Sequence, residues 1–151
     1  MNRTLIILSA ITAVGLFFSG IALPTTADAQ TAAKDRLALM KSNGKNFVQI
    51  KKATDTQTIT AAAKAINANA KKLASADLWP KGSHGGDTRA KVEIWQNMGK
   101  FIANLKSLEN ASDNLIKVSL GGDLGNSKKA FGAMARVCGG CHKEFQAPKN
   151  K

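Results

Sequence analysis

Cys138-Gly139-Gly140-Cys141-His142, near the end of a 151-residue chain, gathers the residue types best suited to holding a metal cofactor. Both cysteines of the chain and one of its two histidines fall in this pentad. The spacing Cys-x-x-Cys-His is the attachment signature of a c-type haem. Two thiols three residues apart on a helical turn can each add to a vinyl group on one porphyrin edge. The next residue then sets its imidazole beneath the iron as the proximal ligand. Cys138 and Cys141 are therefore the expected thioether positions, His142 the expected iron ligand, and one covalent haem c per chain the expected cofactor. Other chemistries of paired thiols fit less well. A redox pair wants a βαβ setting, which the chain does not show. A structural zinc wants two further soft ligands, and no further cysteine exists to supply them. A disulfide across two residues is strained and has no use for the histidine.

The N-terminus says where such a cofactor would be attached. Met1-Asn2-Arg3 is a short basic start, Leu5 to Leu23 is apolar without a charge, and Pro24 leads to Ala27-Asp28-Ala29, a small-x-small cleavage pattern. Residues 1–29 are expected to be a cleaved export signal and 30–151 a single domain. The rival is an uncleaved anchor, which the length of the apolar run would permit; the Pro break and the Ala-x-Ala site favour cleavage. Covalent haem attachment to paired thiols takes place outside the cytoplasm, so a periplasmic location agrees with both ends of the chain.

The elements that must position the pentad are helices. Tyrosine is absent, β-branched and aromatic residues are sparse, and alanine and lysine are abundant. No stretch alternates apolar and polar residues as a strand would. Four amphipathic segments can be read from their spacing. The first, from about Ala32 to Lys52, carries Leu37, Met40, Phe47 and Ile50, with Gly44 completing the rhythm. The second, about Thr56 to Ala76, carries Ile59, Ala63, Ile66, Ala70 and Leu73, and a Gly-rich loop with His84 follows Leu78-Trp79-Pro80. The third starts near Arg89 and runs through Ile94, Met98, Phe101, Leu105, Leu108, Ser112 and Leu115 to Gly121-Gly122. The fourth starts near Ser127, read as its N-cap, and carries Phe131, Met134, Cys138, Cys141 and Phe145 before Pro148. The expected fold is all-α, an antiparallel four-helix bundle with a covalently attached haem.

A haem signature on the last of four helices resembles the class II cytochromes c, which include cytochrome c′; class I cytochromes c usually carry it near the N-terminus. The run Leu39-Met40-Lys41-Ser42-Asn43-Gly44-Lys45-Asn46 is similar to the first helix of cytochrome c-556, the low-spin branch of that family. Ile94-Trp95 followed by Lys100-Phe101 is similar to the family's third helix. The resemblance implies that the first helix crosses the distal face of the haem. At the position of Met40, cytochrome c-556 supplies a thioether to iron, whereas cytochrome c′ leaves the iron five-coordinate behind a side chain that does not bind it. The neighbouring residues favour Met40 as the distal ligand, and core packing is the alternative. Arg36, one helical turn earlier, would by the same resemblance contact a haem propionate; a solvated surface arginine is the other reading. Met98 reads as core, Met134 as proximal, and His84 as a surface residue.

His/Met ligation saturates the iron, which describes a one-electron carrier and not an enzyme. A five-coordinate iron would instead bind small gases such as nitric oxide or carbon monoxide. A peroxidase would need a distal His–Arg pair, and none is apparent in the sequence. The net charge of +12 favours acidic redox partner proteins; the export signal and the lack of a recognition motif speak against nucleic acid. The family resemblance also implies a homodimer through the first two helices, which the Ala-rich second helix would permit.

Overall fold

The computed structural model describes residues 26–84 and 88–148, so most of the expected export signal, including its apolar run and Pro24, lies outside the described residues. The elements are α1 (Thr26–Lys52), α2 (Thr56–Leu73), a 3-10 turn at Ala76–Leu78, α3 (Glu93–Gln96), α4 (Met98–Leu120) and α5 (Leu124–Phe145). Among the described residues there is no β-strand, only one isolated antiparallel bridge, Ala90 to Gln146. None of the described helices is long and apolar enough to cross a membrane.

The four long helices form the expected bundle, with local differences from the sequence reading. α1 begins at Thr26, earlier than Ala32, so Ala27-Asp28-Ala29 continues the helix. The third segment is split: α3 ends at Gln96, and Asn97 adopts φ −128° and ψ 44° before α4 starts. Asparagine tolerates such a departure from helical geometry. α5 begins three residues before Ser127, because Asp123 is the true cap and its carboxylate accepts the amide of Asn126 at 2.8 Å. Ser127 is instead fully buried inside α5, and its hydroxyl donates to the Asp123 carbonyl at 2.7 Å. α2 is capped in the same way by Asp55, which accepts from the amide of Thr58 at 2.7 Å. Between α4 and α5 the chain reverses at Gly122, whose φ of 78° suits only glycine without strain.

Two halves of the bundle have different fillings. At one end Ile50, Ile59, Ile66, Leu115 and Met134 pack into a closed aliphatic core. Met134 thus belongs to the core and not to the wall of a haem site. At the other end Leu73, Trp79, Ile94, Phe101, Leu105, Cys141 and Phe145 make an aromatic-rich cluster, with Met40 and Met98 half-buried against it. α2 lies against α1 and α4, and α4 against α5, while α1 meets α5 at the closed end, where the Phe47 and Phe131 rings lie 4.7 Å apart.

Buried polar pairs fix the register of these contacts. Thr60 and Ser119 share a hydroxyl hydrogen bond of 2.6 Å between α2 and α4. Asn67 donates to the Ser112 hydroxyl at 3.1 Å and to the Glu109 carbonyl at 3.0 Å. Asn69 reaches the other way, to Ser42 at 3.0 Å and Asn43 at 2.9 Å on α1. Satisfied pairs of this kind cost little, and a slipped register would leave each of them unpaired in the core.

Leu115 is fully buried in the closed end. Leu115→Ala should destabilise the protein by about 2–5 kcal/mol in urea unfolding of the haem-loaded form. The visible spectrum should stay native, because the cavity described next lies at the other end.

Candidate haem site

The separation of α1 from α5 leaves a cavity of about 680 Å³ between them, in the range of sites that hold a cofactor. α5 contributes Cys141, His142 and Phe145 to its wall, and α1 contributes Arg36, Leu37, Met40 and Lys41. Trp79, Ile94 and Phe101 form an apolar side. The Trp79 and Phe101 rings meet edge to face at 4.5 Å, and Phe101 and Phe145 do so at 5.3 Å. These contacts hold the wall without any bound group.

The pentad sits in the last two turns of α5. Cys138 is half-buried and packs against the closed core, while Cys141 is buried at the cavity wall. Burial raises the pKa of both thiols. Cys141 is pushed up to about 11, by burial first and then by its neighbours Cys138 and Glu144. Thiols raised in this way are protonated at pH 7. The His142 imidazole is held below its ordinary pKa, by burial first and then by the positive charge of Arg89. It stays neutral at pH 7, the form in which imidazole binds a metal.

Arg36 is not a surface arginine. Only 3% of it is exposed. Its guanidinium lies 4.5 Å from the centre of the Trp79 ring and 5.6 Å from that of Trp95. Nη1 donates to the Leu78 carbonyl and to the Ser83 hydroxyl, and Nη2 donates to the Ser83 carbonyl at 2.6 Å. Burial lowers its pKa to about 10, so it remains charged. Its Nε is buried and has no hydrogen-bond partner, and the same holds for Nε of Arg89, a second cation on the cavity wall. An apolar slot with two paired thiols and an imidazole on one wall suits a flat hydrophobic metal cofactor. Two unsatisfied guanidinium N–H groups suit that cofactor's carboxylates. The donor set fits haem.

The structure therefore brings Cys141, His142, Met40 and Arg36 to one cavity, with Cys138 one turn along α5. His84 is exposed and outside that wall, its ring 5.5 Å from Trp95. Arg89 and the Trp79–Phe101–Phe145 wall were missed from sequence. Nothing local marks Arg89, which follows a Gly-rich loop and reaches the cavity only through tertiary contacts. Phe101 and Phe145 showed only as apolar positions on separate helices, and Trp79 only as part of the break after the second segment.

A helical bundle with this pentad at its C-terminus defines a c-type haem protein. A family model described as cytochrome c′ matches residues 31–146, and the chain belongs to that family. Its cofactor, as in that family, is haem c. Cytochrome c′ of Pararhodospirillum photometricum is 32% identical over 85 residues, which cover 56% of this chain and 66% of that one. The match thus spans slightly less than two thirds of that relative. A cytochrome c′ described as having a ligand-controlled dimer dissociation superposes with a TM-score of 0.72 at 27% identity, covering 80% of this chain and 97% of the other. Oxidised cytochrome c556 of R. palustris superposes with a TM-score of 0.67 at 24% identity, covering 80% and 99%. That last likeness shows the shared fold alone.

Covalent attachment is checked directly. After denaturation in acidified organic solvent the haem should stay with the protein, and Cys138→Ala combined with Cys141→Ala should release it. Release from the unaltered protein would contradict the assignment of both thiols.

Proposed function

We propose that this protein is a periplasmic one-electron carrier in which His142 and Met40 hold the iron from opposite helices. The observation that carries the reading is the presence of the Met40 side chain on the wall of the cavity that His142 lines, where α1 and α5 stand apart. The bound haem supplies an iron that takes up and returns a single electron. His142 offers a neutral nitrogen, and Met40 offers a soft thioether that suits iron and raises its potential relative to a harder ligand. Trp79, Ile94, Phe101 and Phe145 exclude water from the site. Arg36, clamped by Leu78 and Ser83, keeps Nε–H and one Nη2–H free of partners for a propionate. An iron held by both His142 and Met40 would keep no open position for substrate, which supports a carrier and not an enzyme.

Partners follow from charge. Lys41 and Lys45 on α1 and Lys143 beside His142 are exposed near the cavity, within a chain of net charge +12. They favour encounter with acidic redox proteins, by an attraction that salt weakens. A homodimer through α1 and α2 is supported by the likeness to a dimeric cytochrome c′ and by Val48, which is 47% exposed on α1. Cleavage after Ala29 and export to the periplasm rest on the N-terminal sequence and on the chemistry of haem attachment.

A second reading keeps Met40 as wall packing and the iron five-coordinate, open to nitric oxide or carbon monoxide. The match to a cytochrome c′ model and the apolar lining by Leu37, Ile94 and Phe101 favour it. Absorption spectra of the oxidised and reduced protein, with and without carbon monoxide, separate the two. The carrier reading expects a low-spin spectrum with the weak long-wavelength sulfur-to-iron band, insensitive to the gas, and loss of that band in Met40→Ala. A high-spin spectrum that shifts with carbon monoxide would put the gas-binding reading first.

A further inference from the structure

The chain between the Gly-rich loop and α3 is tied to the helix that carries the haem pentad. The Ala147 amide donates to the Arg89 carbonyl at 2.8 Å, and the Lys91 amide donates to the Phe145 carbonyl at 3.1 Å. The Lys91 ammonium donates to the Glu144 carbonyl at 3.0 Å, placing a cation at the negative end of α5. These bonds make residues 89–91 a strap across the last turn of α5, immediately after His142. The strap puts the Arg89 side chain on the cavity wall beside the imidazole.

Among the described residues, the charge that arrives there has no partner within the protein: no carboxylate forms an ion pair with Arg89, and its buried Nε has no hydrogen-bond partner. Glu144, the acid nearest in sequence to His142, is paired with Lys100 at 2.6 Å. Arg36 differs, since most of its donors are spent on Leu78 and Ser83. Oxidation of the iron adds one positive charge, which a fixed cation nearby opposes. In a partly buried site one such charge biases a one-electron equilibrium by roughly tenfold.

We infer that Arg89 is a positioning residue of the haem site: the strap fixes a permanent positive charge beside His142 and so favours the reduced iron. This rests on the assignment of His142 as the proximal ligand but not on Met40, because both readings of the sixth position share His142.

The test is a spectroelectrochemical titration of the purified haem-loaded protein and its variants. Arg89→Gln should shift the equilibrium roughly tenfold towards the oxidised form, a midpoint lower by about 59 mV for one electron. Arg89→Lys should keep most of the native potential, because the charge remains. Both variants should keep the native band pattern. An unchanged midpoint in Arg89→Gln would overturn the inference. So would an equal drop in Arg89→Lys, or an altered band pattern in both variants, since Arg89 would then act through shape and not charge. A high-spin spectrum of the native protein would count against Met40 alone and leave the comparison of midpoints intact.

Discussion

The site depends on α1 being held away from α5. A cavity next to an apolar core tends to close, because every ångström of collapse returns dispersion contacts and removes surface from water. What keeps it open is that α1 is fastened elsewhere. Asn69 on α2 grips Ser42 and Asn43 of α1, in the turn after Met40. Lys128 of α5 binds the Ile50 and Lys51 carbonyls at the far end of α1, at 2.8 and 3.0 Å. Arg36 ties the near end to the loop at Ser83. Three polar anchors set the height and rotation of α1, so Met40 and Arg36 face the gap. The aliphatic end of the bundle supplies the stability that the open end forgoes.

The electrostatics of the cavity follow the same division of labour. Its walls are mostly carbon, which protects a bound group from water and strengthens any charge left inside. Of the charges on its wall, Lys41 is exposed and the two guanidinium groups are held differently. Arg36 is clamped by the loop and the Trp79 ring, and Arg89 is carried by a backbone strap. Arg36 cannot swing out to solvent without breaking the bonds that hold it. A rigid dipole and charge environment of this kind needs little rearrangement when the oxidation state of a bound metal changes, which suits fast electron exchange.

Much of this was legible in the sequence, for identifiable reasons. The pentad is a local pattern whose chemistry requires adjacency, so Cys138, Cys141 and His142 could be proposed without any fold, and the structure puts Cys141 and His142 on the cavity wall. The stripes of α2 and α5 declared themselves because burial on one face repeats with the helix period. Met40 and Arg36 share a face by simple helical geometry, and the structure puts both on the cavity. What the sequence withheld is tertiary. Arg36 looked half-solvated because its partner Ser83 lies 47 residues away. The break at Asn97 interrupts a stripe that continues unbroken on either side. Ser127 and Asp123 are both good caps, and only backbone geometry decides between them. Arg89 acquires its meaning from bonds to α5, at a distance no local pattern encodes.

The account stands or falls on what binds iron from the α1 side. Iron K-edge X-ray absorption on the oxidised, haem-loaded protein reads this without reference to spin state or added ligand. A six-coordinate iron with five nitrogen neighbours and one sulfur is the predicted result, since the cysteine sulfurs are bonded to the porphyrin and only Met40 on the cavity wall offers another. A shell of nitrogens with no sulfur would contradict it, and Met40 would then be a packing residue over an open coordination site.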